Sequence, residues 1–388
     1  MNAAHTAPEI LHMRHVLVAS DKFKGSLTAA AVGEAVSAGI RGVYPDTDVV
    51  IVLVADGGDG TLAAAIAAGF QAVAVTAGGP TGEPVATCYA RRGDRAVVEL
   101  ADVSGLSRLT GGLTPLTASS RGTGEVIAAA LDAGCRQIVL GIGGSAGTDG
   151  GAGLVSALGG RLLDADGAEI ADGGAALEQI QRLDLSGLHP RLADAEIVVA
   201  CDVDNPLTGP RGAAAVYGPQ KGATPDDVER LDGGLARWAD VVAAATGSDR
   251  RDAAGAGAAG GVGFAAIALL GAQLQPGIEL VLELVDFHAR LDGAVLVVTG
   301  EGSLDEQTLH GKAPAGVAAA ARAAGVPVVA VCGRSLLSTQ QLAAAGISAA
   351  YSLHDLEPDL RRSMTNAASL LERLGGRIAA EHLGTGPS

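Results

Sequence analysis

Aromatic side chains are nearly missing from this 388-residue chain; Phe, Trp and Tyr together make up 2% of it. The core must therefore be built from Ala, Val, Leu and Ile, and platforms for stacking nucleic-acid bases are scarce. Lysine is equally rare. Of 27 basic residues only Lys22, Lys24, Lys221 and Lys312 are lysine, and the formal net charge is −16. So acidic a chain argues against DNA or RNA as a partner, while leaving room for a small anion in a local cationic pocket. No apolar run reaches the ~18 residues that span a bilayer, so no membrane partner is expected. Cys88, Cys135, Cys201 and Cys332 stand isolated, without CxxC spacing. That excludes a zinc site or disulfide framework and fits a reducing cytoplasm. The first fifteen residues hold three histidines and no apolar signal core, and read as a frayed tail. There is no G-x-x-x-x-G-K-[ST] loop, no protein-kinase signature and no H-E-x-x-H.

What is present is 48% hydrophobic and 18% charged, a globular composition whose length suits two domains. His15–Ala19 and Val49–Val54 read as buried parallel strands, Leu27–Gly39 and the Ala-rich stretch after Thr61 as helices. The C-terminal part repeats that grammar: a strand at Val295–Thr299, a loop at Gly300–Asp305, a helix at Ala313–Ala324, and strands at Val326–Val331 and Ala349–Leu353. These five strands suffice for a doubly wound open sheet. Between them lie strand candidates at Ala72–Ala77, Val85–Ala90, Ala96–Leu100, Gln137–Gly141 and Glu196–Ala200, separated by dense glycine. The expected organisation is an α/β domain of residues 1–72 and 288–388, interrupted by a second α/β domain at 73–287.

Open parallel sheets bind ligands beyond the carboxyl ends of their strands. That rule selects Ser20–Ser26, Ala55–Thr61 and Gly300–Asp305, each directly after an apolar strand and each carrying acidic groups. A single Asp there is ordinarily a helix cap; three charged loops ask for more. The stretch Gly141–Gly153 holds seven glycines and leads into an apolar helix. Its backbone N–H groups and the helix dipole suit a phosphate; a packing turn is the competing reading. Gly141-x-Gly143-x-x-Ala146, with Asp164 downstream, resembles a dinucleotide fingerprint broken by further glycines, and Gly255–Gly260 matches the same pattern without a preceding strand. Arg121 could clamp a carboxylate or phosphate, or simply sit in a helix start. Asp202 could bind Mg²⁺ or orient a hydroxyl, or form a turn before Pro206.

Joined in order, these pieces resemble the bacterial glycerate 2-kinase family. The matching segments are Ser20–Leu27, Ala55–Thr61, Ser120–Glu125, Ile142–Gly153, Cys201–Val203, Asn205–Leu207, Gly218–Ala223, Gly255–Gly263 and Thr299–Gly302 through Gly311-Lys312. Four positions depart from the family's usual pattern. Gly147-Thr148 replaces Thr-Asn, Asp59 replaces Glu, and Ser303 replaces Arg. The resemblance implies a flavodoxin-like domain interrupted by a second α/β domain, and ATP-dependent, Mg²⁺-assisted phosphorylation of D-glycerate to 2-phosphoglycerate in the cleft between them. It also implies substrate contacts at Ser26, Arg121, Gly122, Thr123 and Asn205, and nucleotide contacts at Gly143, Gly144, Ser145, Asp149, Gly150, Gly151, Glu301 and Lys312.

Phosphoryl transfer needs charge neutralisation, in-line positioning and a proton acceptor. Lys22 or Lys24 is expected to clamp phosphate, and Asp56, Asp59 or Asp202 to hold Mg²⁺ or act as base, with Asp56 and Asp202 the candidate metal ligands. Lys221 is expected to matter far less than Lys22 or Lys24. Other readings are a different hydroxy acid or the 3-hydroxyl as acceptor, a nicotinamide-dependent dehydrogenase, or a regulator that binds ATP without turnover. The oligomeric state is left open, a homodimer included.

Overall fold

The computed structural model describes residues 14–309 and 311–384, so most of the expected N-terminal tail lies outside the described residues. The chain divides into two compact units: the described residues up to Val54 with those from Val285 on, and Ala55–Leu284 between them.

In the first unit five parallel strands form one sheet, in the order Ala349–Ser352, Val328–Ser335, Ala294–Leu304, His15–Ser20, Asp48–Ile51. Numbered within the unit this is 2-1-3-4-5, the flavodoxin-like order, whose switch point lies between His15–Ser20 and Ala294–Leu304. His15–Ser20 is buried along its whole length, as its unbroken apolar run requires. On the sheet the helix Ala29–Val43, capped by the Thr28 hydroxyl, meets the helix Ala367–His382 through glycines. A Cβ on Gly39 would come within 1.9 Å of the Glu372 carbonyl, and one on Gly375 within 2.3 Å of that of Val36.

Two sequence expectations change here. Gly300–Leu304, read as a loop, continues its strand: Ser303 and Leu304 pair with Arg334 and Ser335 on the lengthened neighbouring strand. Conversely, Val52–Val54 leaves the sheet after Ile51 and carries the chain to the second unit.

The second unit begins at Ala55, not near 73, because the helix Thr61–Ala67 packs in this unit's core. Its Leu62 and Ala65 lie with Val97, Val139, Ala200, Leu280 and Leu284. The six-stranded sheet runs Gln273–Gln275, Glu196–Ala200, Gln137–Gly141, Arg95–Glu99, Pro84–Arg92, Gln71–Gly78. Its first four strands are parallel and its last two antiparallel. A second core surrounds Trp238 and Phe264, whose rings meet edge to face. It takes up one face of the 22-residue helix Pro225–Thr246, whose start is a Thr224–Asp227 capping box.

Candidate active site

At the carboxyl ends of the second unit's parallel strands, the Ala55–Thr61 loop lies against the start of the glycine loop. Gly143 and Gly58 meet so closely that a Cβ on Gly143 would stand 2.7 Å from the Gly58 Cα. Gly57, at φ +86°, has the Ala200 side chain and Gly277 within 2.7 Å of where a Cβ would sit; no other residue fits there. This crowding fixes Asp56 and Asp59 at the strand ends. Asp59 is exposed and Asp56 half-buried. The Asp56 carboxylate accepts only a long bond from the Gly58 N–H, 3.4 Å.

Asp202 completes the acidic side. Its Oδ1 accepts the Gly277 N–H at 2.9 Å, and the Asp56 carbonyl abuts Gly277 as well. Part of Asp202 is exposed, but its carboxyl is desolvated and pushed up to about 6, with Asp56 and Glu279 adding like charge and the Gly277 bond opposing. Glu99, at the end of the strand Arg95–Glu99, escaped sequence reading. It is 6% exposed, and its Oε2 accepts the N–H groups of Gly60 (3.2 Å) and Leu62 (2.9 Å). Burial pushes its pKa up to about 7; the two amide bonds resist that shift, and Asp59 and Asp102 add to it. A lone Glu ending an apolar strand was the available signal.

The glycine loop divides in two. Gly143 and Gly144 form its accessible edge, with Gly144 at φ +74°. From Ser145 to Gly151 it is buried. Gly150 (φ +66°) lies under Trp238, whose Nε1 donates to the Gly150 carbonyl at 3.0 Å. Gly151 (φ +75°) lies on Ala265 and Val262. Asp149, expected to touch nucleotide, is 1% exposed. It accepts from Ser120 N–H (2.8 Å), Ser120 Oγ (2.9 Å), Ser119 Oγ (3.3 Å), Gly151 N–H (3.1 Å) and Gly153 N–H (3.3 Å). That also corrects the expected helix dipole: the helix Ala152–Ala157 has only six residues and its first amides are taken by Asp149. The dinucleotide fingerprint fails likewise, since no helix opens until Ala152. Gly147 and Thr148, the departures from the family pattern, are buried as well, which removes them from any direct phosphate contact.

Four expected substrate contacts are similarly occupied. The Arg121 guanidinium forks onto Asp172 (Nε to Oδ2, 2.6 Å; Nη2 to Oδ1, 2.9 Å) and donates to Ser156 Oγ. Gly122 is pressed on the Gly78 carbonyl, and the buried Thr123 hydroxyl donates to Ser104 Oγ at 2.9 Å. The Asn205 side chain joins Tyr217 OH (2.6 Å) and the Arg211 carbonyl (2.8 Å).

In the first unit, the Asp21–Leu27 loop leaves its strand at the switch point, with the Asp21 N–H donating to the Gly300 carbonyl. Lys24 is exposed and Lys22 half-buried. Glu301 accepts from the Thr308 hydroxyl and lies 3.7 Å from Lys312 Nζ. Ser26 Oγ donates to the Met364 carbonyl at 2.8 Å. Among the described residues, no three His, Cys, Asp or Glu side chains converge as a metal-ligating group, and no helix is long and apolar enough to cross a membrane.

A family model described as "Glycerate kinase family" matches residues 16–383. The chain belongs to the glycerate kinase family. It is a kinase, and the dehydrogenase reading falls. It is 46% identical to the "Glycerate kinase" of Bacillus subtilis (strain 168), over 94% of this chain and 97% of that one. It is 43% identical to the "Glycerate 2-kinase" of Escherichia coli (strain K12), over 94% and 97%. Among solved structures it is similar to the crystal structure of "putative glycerate kinase 2" from Salmonella typhimurium LT2, with TM-score 0.81, 44% identity, and 95% and 98% of the two chains covered. The α/β fold of the family is the one described above.

Proposed function

We propose that this member of the family transfers the γ-phosphoryl group of ATP to the 2-hydroxyl of D-glycerate, giving 2-phosphoglycerate and ADP, in the cytoplasm. The observation that carries this reading is the meeting of the accessible Gly143–Gly144 edge with Asp56, Asp59 and Asp202 at the carboxyl ends of the second unit's strands. The Gly143 and Gly144 amides would take phosphate oxygens. The hydroxyl oxygen attacks phosphorus, the bond to the β–γ bridging oxygen breaks, and the hydroxyl proton passes to a carboxylate. Asp202, with its carboxyl pushed up to about 6, is the best-matched acceptor near neutral pH.

Asp56 is the carboxylate that a divalent cation fits, leaving Asp202, whose shift the Asp56 charge contributes to, as the proton acceptor. Mg²⁺ is ordinarily held by one or two carboxylates and the substrate phosphates. When bound there it would neutralise phosphate charge. Lys22 and Lys24, on the first unit's switch-point loop, are the candidate clamp, and the Glu301–Lys312 pair occupies the neighbouring strand end. Glycerate's own carboxylate would need a cation not already paired as Arg121 is. Incubation with ATP, Mg²⁺ and D-glycerate, followed by ³¹P and ¹³C NMR, should give ADP and the 2-phosphate. A 3-phosphate would overturn the regiochemistry, and intact ATP would overturn the reading.

A further inference from the structure

Lys221 is the most deeply buried basic residue described in the chain, 2% exposed, on the short turn Pro219–Lys221. Its Nζ donates to Ser145 Oγ at 2.8 Å and also to the Gly147 carbonyl. A Cβ on Gly260 would come within 2.9 Å of that Nζ, so glycine there is what gives the ammonium its place. Gly260 (φ +70°) and Gly261 (φ +94°) interrupt the helix Ala258–Leu269 with left-handed backbone at this point.

We propose that Lys221 is a positioning residue for the nucleotide, acting through Ser145 on the Gly143–Gly144 edge. This deepens the nucleotide assignment above and rests on it. The argument is one of donors and acceptors. A lysine ammonium can only donate. Ser145 Oγ accepts from Nζ, so its own proton must point elsewhere, and Ser145 directly follows the accessible Gly143–Gly144 edge. The hydroxyl is thereby oriented and polarised as a donor next to the anion site. The bond to the Gly147 carbonyl holds the far side of the same turn. A buried lysine costs stability unless it is paired, and burial lowers its pKa to about 7, with Asp149 acting the other way. A merely structural position would be filled as well by a long apolar side chain. Lysine with two bonds into one loop is the costlier choice, and it is needed if the loop must present donors to a polyanion.

The test is ATP binding by isothermal titration, together with steady-state kinetics, on the unaltered chain, Lys221→Met, Lys221→Ala and Lys221→Ala/Ser145→Ala. Methionine fills the volume without the charge. The Met variant is expected to melt at or above the temperature of the unaltered chain, to weaken ATP binding by about tenfold or more, as loss of a charge-assisted hydrogen bond does, and to leave the KM for glycerate nearly unchanged. Propylamine, which replaces the atoms missing from Lys221→Ala, should restore ATP affinity in that variant and not in the double variant. ATP binding by Lys221→Met equal to that of the unaltered chain, or amine rescue that ignores Ser145, overturns the inference alone. Failure of the unaltered chain to bind ATP overturns the nucleotide assignment, and this inference with it. If Lys221→Ala does not fold, the Met variant decides.

Discussion

At the scale of single residues the acidic strand ends separate into groups that hold the backbone and groups that face outward. Glu99 belongs to the first kind. Its folded pKa, about 7, lies above the ordinary 4.5, so between those values the folded state binds more protons than the unfolded one. Stability therefore falls as pH rises through roughly 4.5 to 7, by on the order of 3 kcal/mol in total. Gln at this position keeps an acceptor for the Gly60 and Leu62 amides but cannot titrate. The melting temperature of Glu99→Gln minus that of the unaltered chain should rise steadily from pH 5 to pH 8. A difference flat with pH would return Glu99 to an ordinary carboxylate. Asp56 is of the second kind. The backbone bond its carboxylate accepts is long, and Asn caps turns as well as Asp. Asp56→Asn should keep the melting profile yet lose activity by about 10²-fold or more, the scale of a lost charge-stabilising group. Excess Mg²⁺ should partly restore Asp56→Asn and not Asp202→Asn. The opposite pattern would exchange the metal and base assignments.

At the scale of elements, the glycine loop tests where close packing ends and ligand contact begins. Gly150→Ala forces a Cβ onto Trp238, 2.5 Å from its Cδ1, at a left-handed φ. The strain and the overlap together should cost roughly 2–4 kcal/mol in urea unfolding. Gly144→Ala keeps the left-handed φ but meets only the Ala101 side chain at 3.2 Å. It should cost about 1 kcal/mol of stability and fall mainly on the KM for ATP. Equal stability losses in the two variants would remove the distinction between the buried and accessible halves.

The same loop shows what was legible beforehand. The strands read from apolar runs are all present, because local hydrophobic pattern decides them: His15–Ser20 and Gln137–Gly141 differ from expectation by a residue or none. The strand continuation through Leu304 was missed because Gly-Glu-Gly-Ser has no strand pattern and is held by distant Arg334 and Ser335. Side-chain availability was the least legible. Arg121 is taken by Asp172, 51 residues away, Glu99 serves amides 37 and 39 residues away, and Lys221 reaches Ser145 across 76. Motif spacing carries no information about partners at such separations. For this reason Lys221, ranked below Lys22 and Lys24 from its loop alone, acquires a role only in the folded chain.

At the scale of the whole molecule, the chain folds one unit from two distant segments and the other from a single continuous one. The apolar clusters around Leu140, around Trp238 and around Val139 draw only on residues between Leu62 and Leu284. The cluster of the first unit draws only on residues before Ile51 and after Leu291. Nor do the ends of the continuous segment need outside help to meet, since Asp56 abuts Gly277, at the head of the helix Gly277–Leu284. A fragment spanning residues 55–284 should therefore fold alone, whereas the first unit must close a loop of that whole length to form its sheet. The only tryptophan of the chain, Trp238, is fully buried in the continuous unit, so its emission reports on that unit and no other. Thermal unfolding followed by tryptophan emission should give a cooperative transition for the fragment, within a few degrees of the emission transition of the full chain. Circular dichroism of the full chain, which senses both units, is free to show a second transition. A fragment with exposed tryptophan emission and no cooperative melt would mean that the first unit's sheet is part of what stabilises the second.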